Sequence, residues 1–306
     1  MTIMVIEINS EAVLGAPSPS SSVIVLRDGS AGLELLLLRR HSRSAVLGNA
    51  HVFPGGKLDP ADEQALTLAC DQAVETLPHT LNEPDLPPGT ALGLYVAALR
   101  ETFEECNLLL GDLAHGEALQ HALDRLHAGQ PLLSTLEAMN WMIPTRALQP
   151  WSRWITPKVP SVTNKRFDTR FFVTKAPKGQ TAAHDNHEAT EALWIRPAEA
   201  LRRYWNHDMD LAPPQIMTLS QLARFEKADE ALASARQQAP ALIEPEPFDQ
   251  DGHRVICYPG DPRHSRTEPI WSGPTRLTYR NKRFEPEGGL AALLPGALPS
   301  TLPSAG

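Results

Sequence analysis

Two apolar runs stand near the start of the chain, Val23 to Leu26 and Leu33 to Leu38, separated by Arg27-Asp28-Gly29-Ser30-Ala31-Gly32. A short polar link carrying glycines between two such runs predicts a β-hairpin. Ahead of it, Gly15 to Ser22 is made of Gly, Ala, Pro and Ser and predicts a flexible lead-in. Downstream, a helical pattern from Gln64 to Val74 gives way to Pro78, Pro84, Pro87, Pro88 and Gly89. This stretch predicts an excursion over the surface that delivers the chain to a second helix, with Thr90 as its cap. In that helix Leu92, Val96, Leu99, Phe103 and Cys106 share one side. Glu101, Glu104 and Glu105 share the other, so the pattern predicts one buried stripe and one strongly negative face.

Residues 113–140 are again helical in pattern, and strand signals return at Trp154-Ile155, Phe167 to Thr174 and Ala192 to Ile195. Pro197 opens a further helix, and Pro213-Pro214 opens another that runs on from Gln215 to Lys227. Arg254 to Tyr258 and Arg276 to Tyr279 predict a strand pair. The Gly-, Pro- and Ala-rich stretch from Glu285 to Gly306 predicts a disordered tail. Strands around a few helices, without regular alternation, predict an α+β protein: an α/β/α sandwich on a mixed sheet. No Gly-x-Gly-x-x-Gly follows the first strand, which argues against a doubly wound dinucleotide fold.

The expected division is a flexible N-terminus over 1–20 and a main domain over 21–235 with an insertion at about 63–90. An extension over 240–285 and a tail over 286–306 follow. The extension has three open roles: extending the sheet, covering part of a binding site, or building a dimer interface.

Composition narrows the function classes. A net charge of −8 gives no general attraction to nucleic acid or to an anionic membrane. The longest apolar run falls far short of the ~20 residues that a membrane helix needs. Cys70, Cys106 and Cys257 have no paired spacing, which argues against a disulfide framework or a structural zinc site and for a reducing, cytoplasmic setting.

The chemistry concentrates in two strings, Phe53-Pro54-Gly55-Gly56-Lys57-Leu58-Asp59 and Arg100-Glu101-Thr102-Phe103-Glu104-Glu105. Three carboxylates this close repel one another, and Arg100 is the one local cation. Their oxygens are hard ligands that suit Mg²⁺ or Mn²⁺.

Together the strings resemble the box of the Nudix hydrolases: Gly, five residues, Glu, seven residues, then Arg-Glu-hydrophobic-x-Glu-Glu-x-Gly-hydrophobic. On this chain Gly56 opens the box, Asp62 takes the first acidic position, and Arg100-Glu101 with Glu104-Glu105 completes it. Asp62 is one methylene shorter than the usual Glu, and Asn107 stands in place of the closing glycine. Residues 63–99, 37 of them, replace the usual seven. Asn tolerates the left-handed turn that ends many helices, and loop closure costs only slowly more with length. With Arg166-Phe167-Asp168-Thr169-Arg170-Phe171-Phe172, the interrupted box resembles the acyl-coenzyme A diphosphatase branch, whose animal members are peroxisomal. The chain ends Pro303-Ser304-Ala305-Gly306 rather than Ser-Lys-Leu, so a cytoplasmic location is expected.

The resemblance implies a Nudix fold and metal-dependent hydrolysis of a small diphosphate substrate, coenzyme A or its acyl esters. Glu101, Glu104, Glu105 and the carbonyl of Gly56 would hold Mg²⁺ or Mn²⁺. Arg100 would orient a box glutamate, with Gly55 and Asp62 in support. The base that deprotonates water is left open among Glu188, Glu191 and Glu101. The 3′-phosphate of coenzyme A calls for cations, for which Arg40, Arg43, Lys158, Lys165 and Arg166 are the candidates. Trp151 and Trp154 are more readily packing than adenine stacking, and His184 and His187 read as loop residues. The alternatives are another nucleoside diphosphate derivative (ADP-ribose or a dinucleotide) as substrate, or a module that binds a nucleotide without cutting it. A homodimer is a possible assembly.

Overall fold

The computed structural model describes residues 9–41, 48–113, 115–162, 165–183 and 189–295. The expected hairpin is present as β1 (Ser18–Gly29) and β2 (Gly32–Arg40), paired antiparallel. Two short strands follow, β3 (His51–Val52) and β4 (Gly55–Lys57). The excursion then contributes α1 (Leu77–Thr80) before the long α2 (Pro88–Cys106). Next come α3 (Gly116–His127), α4 (Leu132–Ala138), β5 (Gln149–Ile155), β6 (Phe167–Lys175) and β7 (Ala189–Ile195). Three helices close the main body: α5 (Pro197–Trp205), α6 (Pro213–Leu222) and α7 (Ala228–Gln237).

β1 is the centre of an eight-stranded mixed sheet. It pairs in parallel with β6 from Ser18–Phe167 to Leu26–Lys175, antiparallel with β2, and antiparallel with β4 through Ser20–Lys57, Ser21–Gly56 and Ser22–Gly55. The eighth strand, β8 (Ala241–Ile243), lies parallel on β5. Both faces of the sheet are covered, which is why the middle of each strand, Val23 to Leu26 in β1 and Leu35 to Leu38 in β2, is continuously apolar rather than alternating. Val23, Val25, Leu36 and Leu38 pack toward α2 and the excursion. Ile24, Leu26, Leu35 and Leu37 pack toward α5, α6 and α7.

The extension forms its own four-stranded antiparallel sheet from β9 (Glu246–Gln250), β10 (His253–Cys257), β11 (Arg276–Arg280) and β12 (Arg283–Glu285). A last turn, α8 (Leu290–Leu293), follows. Phe284 exchanges two hydrogen bonds with the hydroxyl of Tyr204, and Trp154 stacks on Trp271 with ring centroids 6.1 Å apart. The second sheet is thereby packed onto the first core.

Several expectations are corrected. The Ser/Pro lead-in is already sheet from Ser18 onward, because the small side chains let β4 and α2 approach its backbone; Ser21 Oγ donates to Leu94 O at 2.7 Å. The helix expected over Gln64 to Val74 is replaced by two 3₁₀ turns, Asp62–Thr67 and Val74–Thr76. Tertiary partners win there: Asp71 accepts from Thr145 Oγ1 at 2.7 Å and Arg146 Nε donates to Asp71 O at 2.7 Å. Thr90 does not cap α2, which starts at Pro88; its hydroxyl donates to Glu63 instead. Nor is α2 two-sided, since the excursion folds over its outer face and buries every residue from Ala91 to Leu99. The helix expected to reach Lys227 stops at Leu222, and α7 takes over from Ala228. The tail expected from Glu285 is ordered through α8, and residues 296–306 lie outside the described residues. Among the described residues no helix is long and apolar enough to cross a membrane.

Candidate active site

β4 carries the double glycine against the acidic end of α2. The N–H of Gly55 donates to Glu105 Oε2 at 2.8 Å. A side chain on Gly56 would overlap the carboxylate of Glu101, so only a glycine lets Glu101 lie directly against this backbone. A side chain on Gly55 would instead meet the backbone of Ser21 and Ser22 in β1, and its φ of 152° is one that other residues rarely adopt. The two glycines therefore do different things, one admitting the strand and the other admitting a carboxylate. α2 ends through Asn107 in the left-handed conformation (φ 58°), with its N–H bonded to Phe103 O.

Arg100 ties the site together. Its Nε and Nη2 donate to the two oxygens of Asp62, both at 2.9 Å, and Nη1 donates to Glu101 at 2.7 Å and Glu104 at 3.2 Å. Nη2 also donates to the carbonyl of Lys57, at 3.1 Å. Burial opposes this guanidinium's charge, but the hydrogen bonds it donates to Asp62 and the charge of Glu101 outweigh it and raise its pKa. Asp62 is 2% exposed, so the first acidic position of the box is an anchor for Arg100 rather than a group facing a ligand.

A cavity of about 590 Å³ opens beside this cluster. Gly55, Gly56, Lys57 and Glu101 line one end, with Ser20, Ser21 and Ser22 of β1. Glu104, which is not a lining residue, has a half-exposed side chain, whereas Glu105 is buried beneath Gly55. Among the described residues no three Asp, Glu, His or Cys side chains converge tightly enough to cage an ion alone. The donor set nevertheless fits a hard divalent ion: Mg²⁺ is commonly held by one or two carboxylates, with waters and substrate phosphates completing its shell. Glu101 and Glu104 offer that kind of partial shell; the Gly56 carbonyl, expected to join them, is turned toward Ser21 of β1 by the strand register.

Of the proposed cations, Arg40 and Lys165 line the cavity. Among the described residues, Arg40 Nε is buried without a hydrogen-bond partner, a donor that suits an anion. Arg166 is not a lining residue; it donates to the carbonyls of Thr156, Pro157 and Gly15 and holds a loop. Lys158 does not line the cavity either, and Arg43 lies outside the described residues. Glu191 sits on β7 opposite Arg39, away from the cavity lining. Glu188, His184 and His187 lie outside the described residues. Trp154 forms part of the wall but is core packing, clustered with Phe171, Tyr258 and Trp271; Trp151 packs on Phe225.

Two lining residues escape the sequence reading. Lys57 follows the double glycine directly, and that position was its signal. Gln215, in the first turn of α6, is 8% exposed and its Oε1 has no partner among the described residues, but a lone Gln after two prolines gives no signal.

Residues 76–222 match the NUDT19 Nudix domain family. Among curated relatives, the acyl-coenzyme A diphosphatase NUDT19 of Gallus gallus is 28% identical, over 84% of this chain and 79% of that protein. The Xenopus laevis counterpart is 29% identical, over 67% of this chain and 63% of that protein. For the Homo sapiens counterpart the values are 28%, 63% and 61%. The chain thus spans less than two thirds of the Xenopus and human proteins it matches. Among solved structures, a NUDIX hydrolase from Alicyclobacillus acidocaldarius shares the fold with a TM-score of 0.56 at 24% identity, over 72% of this chain and 97% of that one.

Proposed function

Since the chain belongs to the Nudix hydrolases, a family of diphosphatases, we propose that it hydrolyses the diphosphate bond of coenzyme A or an acyl-coenzyme A. The products would be 3′,5′-ADP and (acyl-)phosphopantetheine. The observation that carries this reading is the contact of Gly55 and Gly56 with Glu105 and Glu101 at the mouth of one cavity. The names of the relatives supply the substrate class.

Glu101 and Glu104 would hold Mg²⁺ or Mn²⁺, with Glu105 fixing the glycine strand through its bond to Gly55. When bound, such an ion offsets phosphate charge and lowers the pKa of a coordinated water. Arg100, itself anchored on Asp62, holds Glu101 and Glu104 in position against their mutual repulsion. Lys57, Arg40 and Lys165 give the cleft positive charge for phosphates. Removal of the water's proton needs a carboxylate that reaches the cleft, and of the described candidates Glu101 lines it whereas Glu191 does not.

The test is a product-identified screen of the whole protein with Mg²⁺ and with Mn²⁺. Coenzyme A, an acyl-coenzyme A, ADP-ribose and a dinucleotide are compared at equal concentration. Release of 3′,5′-ADP as the preferred reaction supports the reading. A preference for ADP-ribose or a dinucleotide replaces it, and tight coenzyme A binding without any product makes the protein a binding module.

A further inference from the structure

The cavity that starts at Gly56 and Glu101 continues into a lobe of different character. Ile155, Pro160, Val162, Pro245, Pro247 and Ile256 line it. Of these, Pro245, Pro247 and Ile256 come from the extension. The chain leaves the main sheet at the end of β8, turns at Pro245 and begins the second sheet with β9. Pro247 and Ile256 are cross-strand partners on β9 and β10, so they present one continuous apolar edge to the lobe.

This wall is held in place by its neighbours on the same face of the sheet. Arg254, in the same strand as Ile256, is buried and donates to Asp249, to the carbonyl of Asn9 and to Ser161 Oγ across the lobe's other wall. Trp154 stacks between Phe171, Tyr258 and Trp271 at its base. A pocket fixed in this way binds without first having to order its own walls.

Its chemistry selects one end of the substrate. The cations of the cleft other than Lys165, namely Lys57 and Arg40, belong to the strands that carry the glycine loop and the hairpin. Lys165, three residues beyond Val162, is the one cation on this side among the described residues, so a nucleoside 3′-phosphate set against the prolines and Ile256 would lose its water for a single counter-charge. A flexible aliphatic chain would gain there, because each methylene removed from water favours binding.

We propose that the extension is a specificity element: the edge formed by Pro247 and Ile256 seats the acyl chain of an acyl-coenzyme A while its diphosphate lies at Gly56 and Glu101. This subsite rests on the proposed function, and it makes the preference for esters over free coenzyme A a property of residues 245–256.

The experiment compares wild-type protein with Pro247→Glu and Ile256→Ala, measuring kcat/KM for free coenzyme A and for octanoyl-coenzyme A, with a melting curve for each variant. The wild type is expected to favour the ester. Because a methylene-sized change in an apolar pocket shifts selectivity by ~10–200-fold, Pro247→Glu is expected to cut the ester-to-free ratio at least ~10-fold, mainly through KM for the ester. Ile256→Ala is expected to cut it in the same direction, and stands alone if Pro247→Glu melts early. An unchanged ratio in a folded variant, or no preference in the wild type, overturns the subsite while leaving the diphosphatase reading intact. Wild-type turnover of ADP-ribose with neither form of coenzyme A cleaved overturns both.

Discussion

The backbone N–H of Gly55 donates to the carboxylate of Glu105 at 2.8 Å, between residues 50 apart in the chain. That bond closes the long excursion of residues 63–99 and brings the two halves of the box together. The excursion costs little in loop closure and repays it by packing onto α2, where Gly93 lets Leu58 and Glu63 come close.

The two glycines make separable predictions. Gly55→Ala puts a side chain on the backbone of β1 and is expected to cost at least ~1–3 kcal/mol, read as a lower midpoint in urea unfolding. Gly56→Ala adds a side chain whose nearest atoms all belong to the movable end of Glu101. It is expected to keep the wild-type midpoint and lose turnover, so a large drop in stability at Gly56 would contradict the assignment.

Asp62 acts through Arg100, from which it accepts two hydrogen bonds. Losing the group that orients a ligand-bearing side chain commonly costs ~10–100-fold in activity or metal affinity. Asp62→Asn is expected to fall in that range, with the Mg²⁺ concentration for half-maximal turnover raised. A fall in kcat with unaltered Mg²⁺ dependence would mean that Asp62 has some other part in the reaction.

Glu83, in the excursion, pairs with Arg170 of β6 at 2.6 Å and Arg153 of β5 at 2.7 Å, and Asp168 completes the network. Glu83 and Arg170 are both buried. Removing one partner strands buried charge, so Glu83→Ala is expected to destabilise by ~3–5 kcal/mol. Urea unfolding checks this, and a change under ~1 kcal/mol would show that water reaches the network.

His51 sets an acid limit on stability. Burial, and then the charge of Arg39, push its pKa from 6.5 down to about 4. The unfolded chain therefore binds a proton that the folded one refuses between those values. The stability from keeping His51 neutral is complete above pH 6.5 and is lost as pH falls toward about 4, on the order of 3 kcal/mol in all. In His51→Gln the unfolding free energy should change less steeply across that window. An unaltered slope would assign the acid sensitivity to other groups.

The sequence made some of this architecture plain and hid the rest for physical reasons. β1 and β2 were legible because a sheet covered on both faces demands apolar residues at successive positions, as in Val23 to Leu26 and Leu35 to Leu38. Ser18 to Ser22 looked like linker because the close approach of β4 and α2 selects small residues, and composition cannot tell packing from flexibility. The excursion misled for a related reason. Its local helical pattern lost to contacts with Thr145 and Arg146, more than 70 residues away, which no local period records. At the site, Arg100 and the glutamates were visible as a charged cluster, whereas Arg166 looked equally available and is spent on three loop carbonyls. Gln215 and the wall of the extension were invisible, because a cavity is a property of the assembled sheets.

The most direct test of the central claim measures Mg²⁺-dependent release of 3′,5′-ADP from coenzyme A by the wild-type protein and by Glu101→Gln, with circular dichroism confirming the fold of each. The account predicts product from the wild type and a loss of at least ~10²–10³-fold in the variant, the scale of removing one preorganised charged contact at a reacting centre. A folded Glu101→Gln protein that releases product at close to the wild-type rate would contradict it.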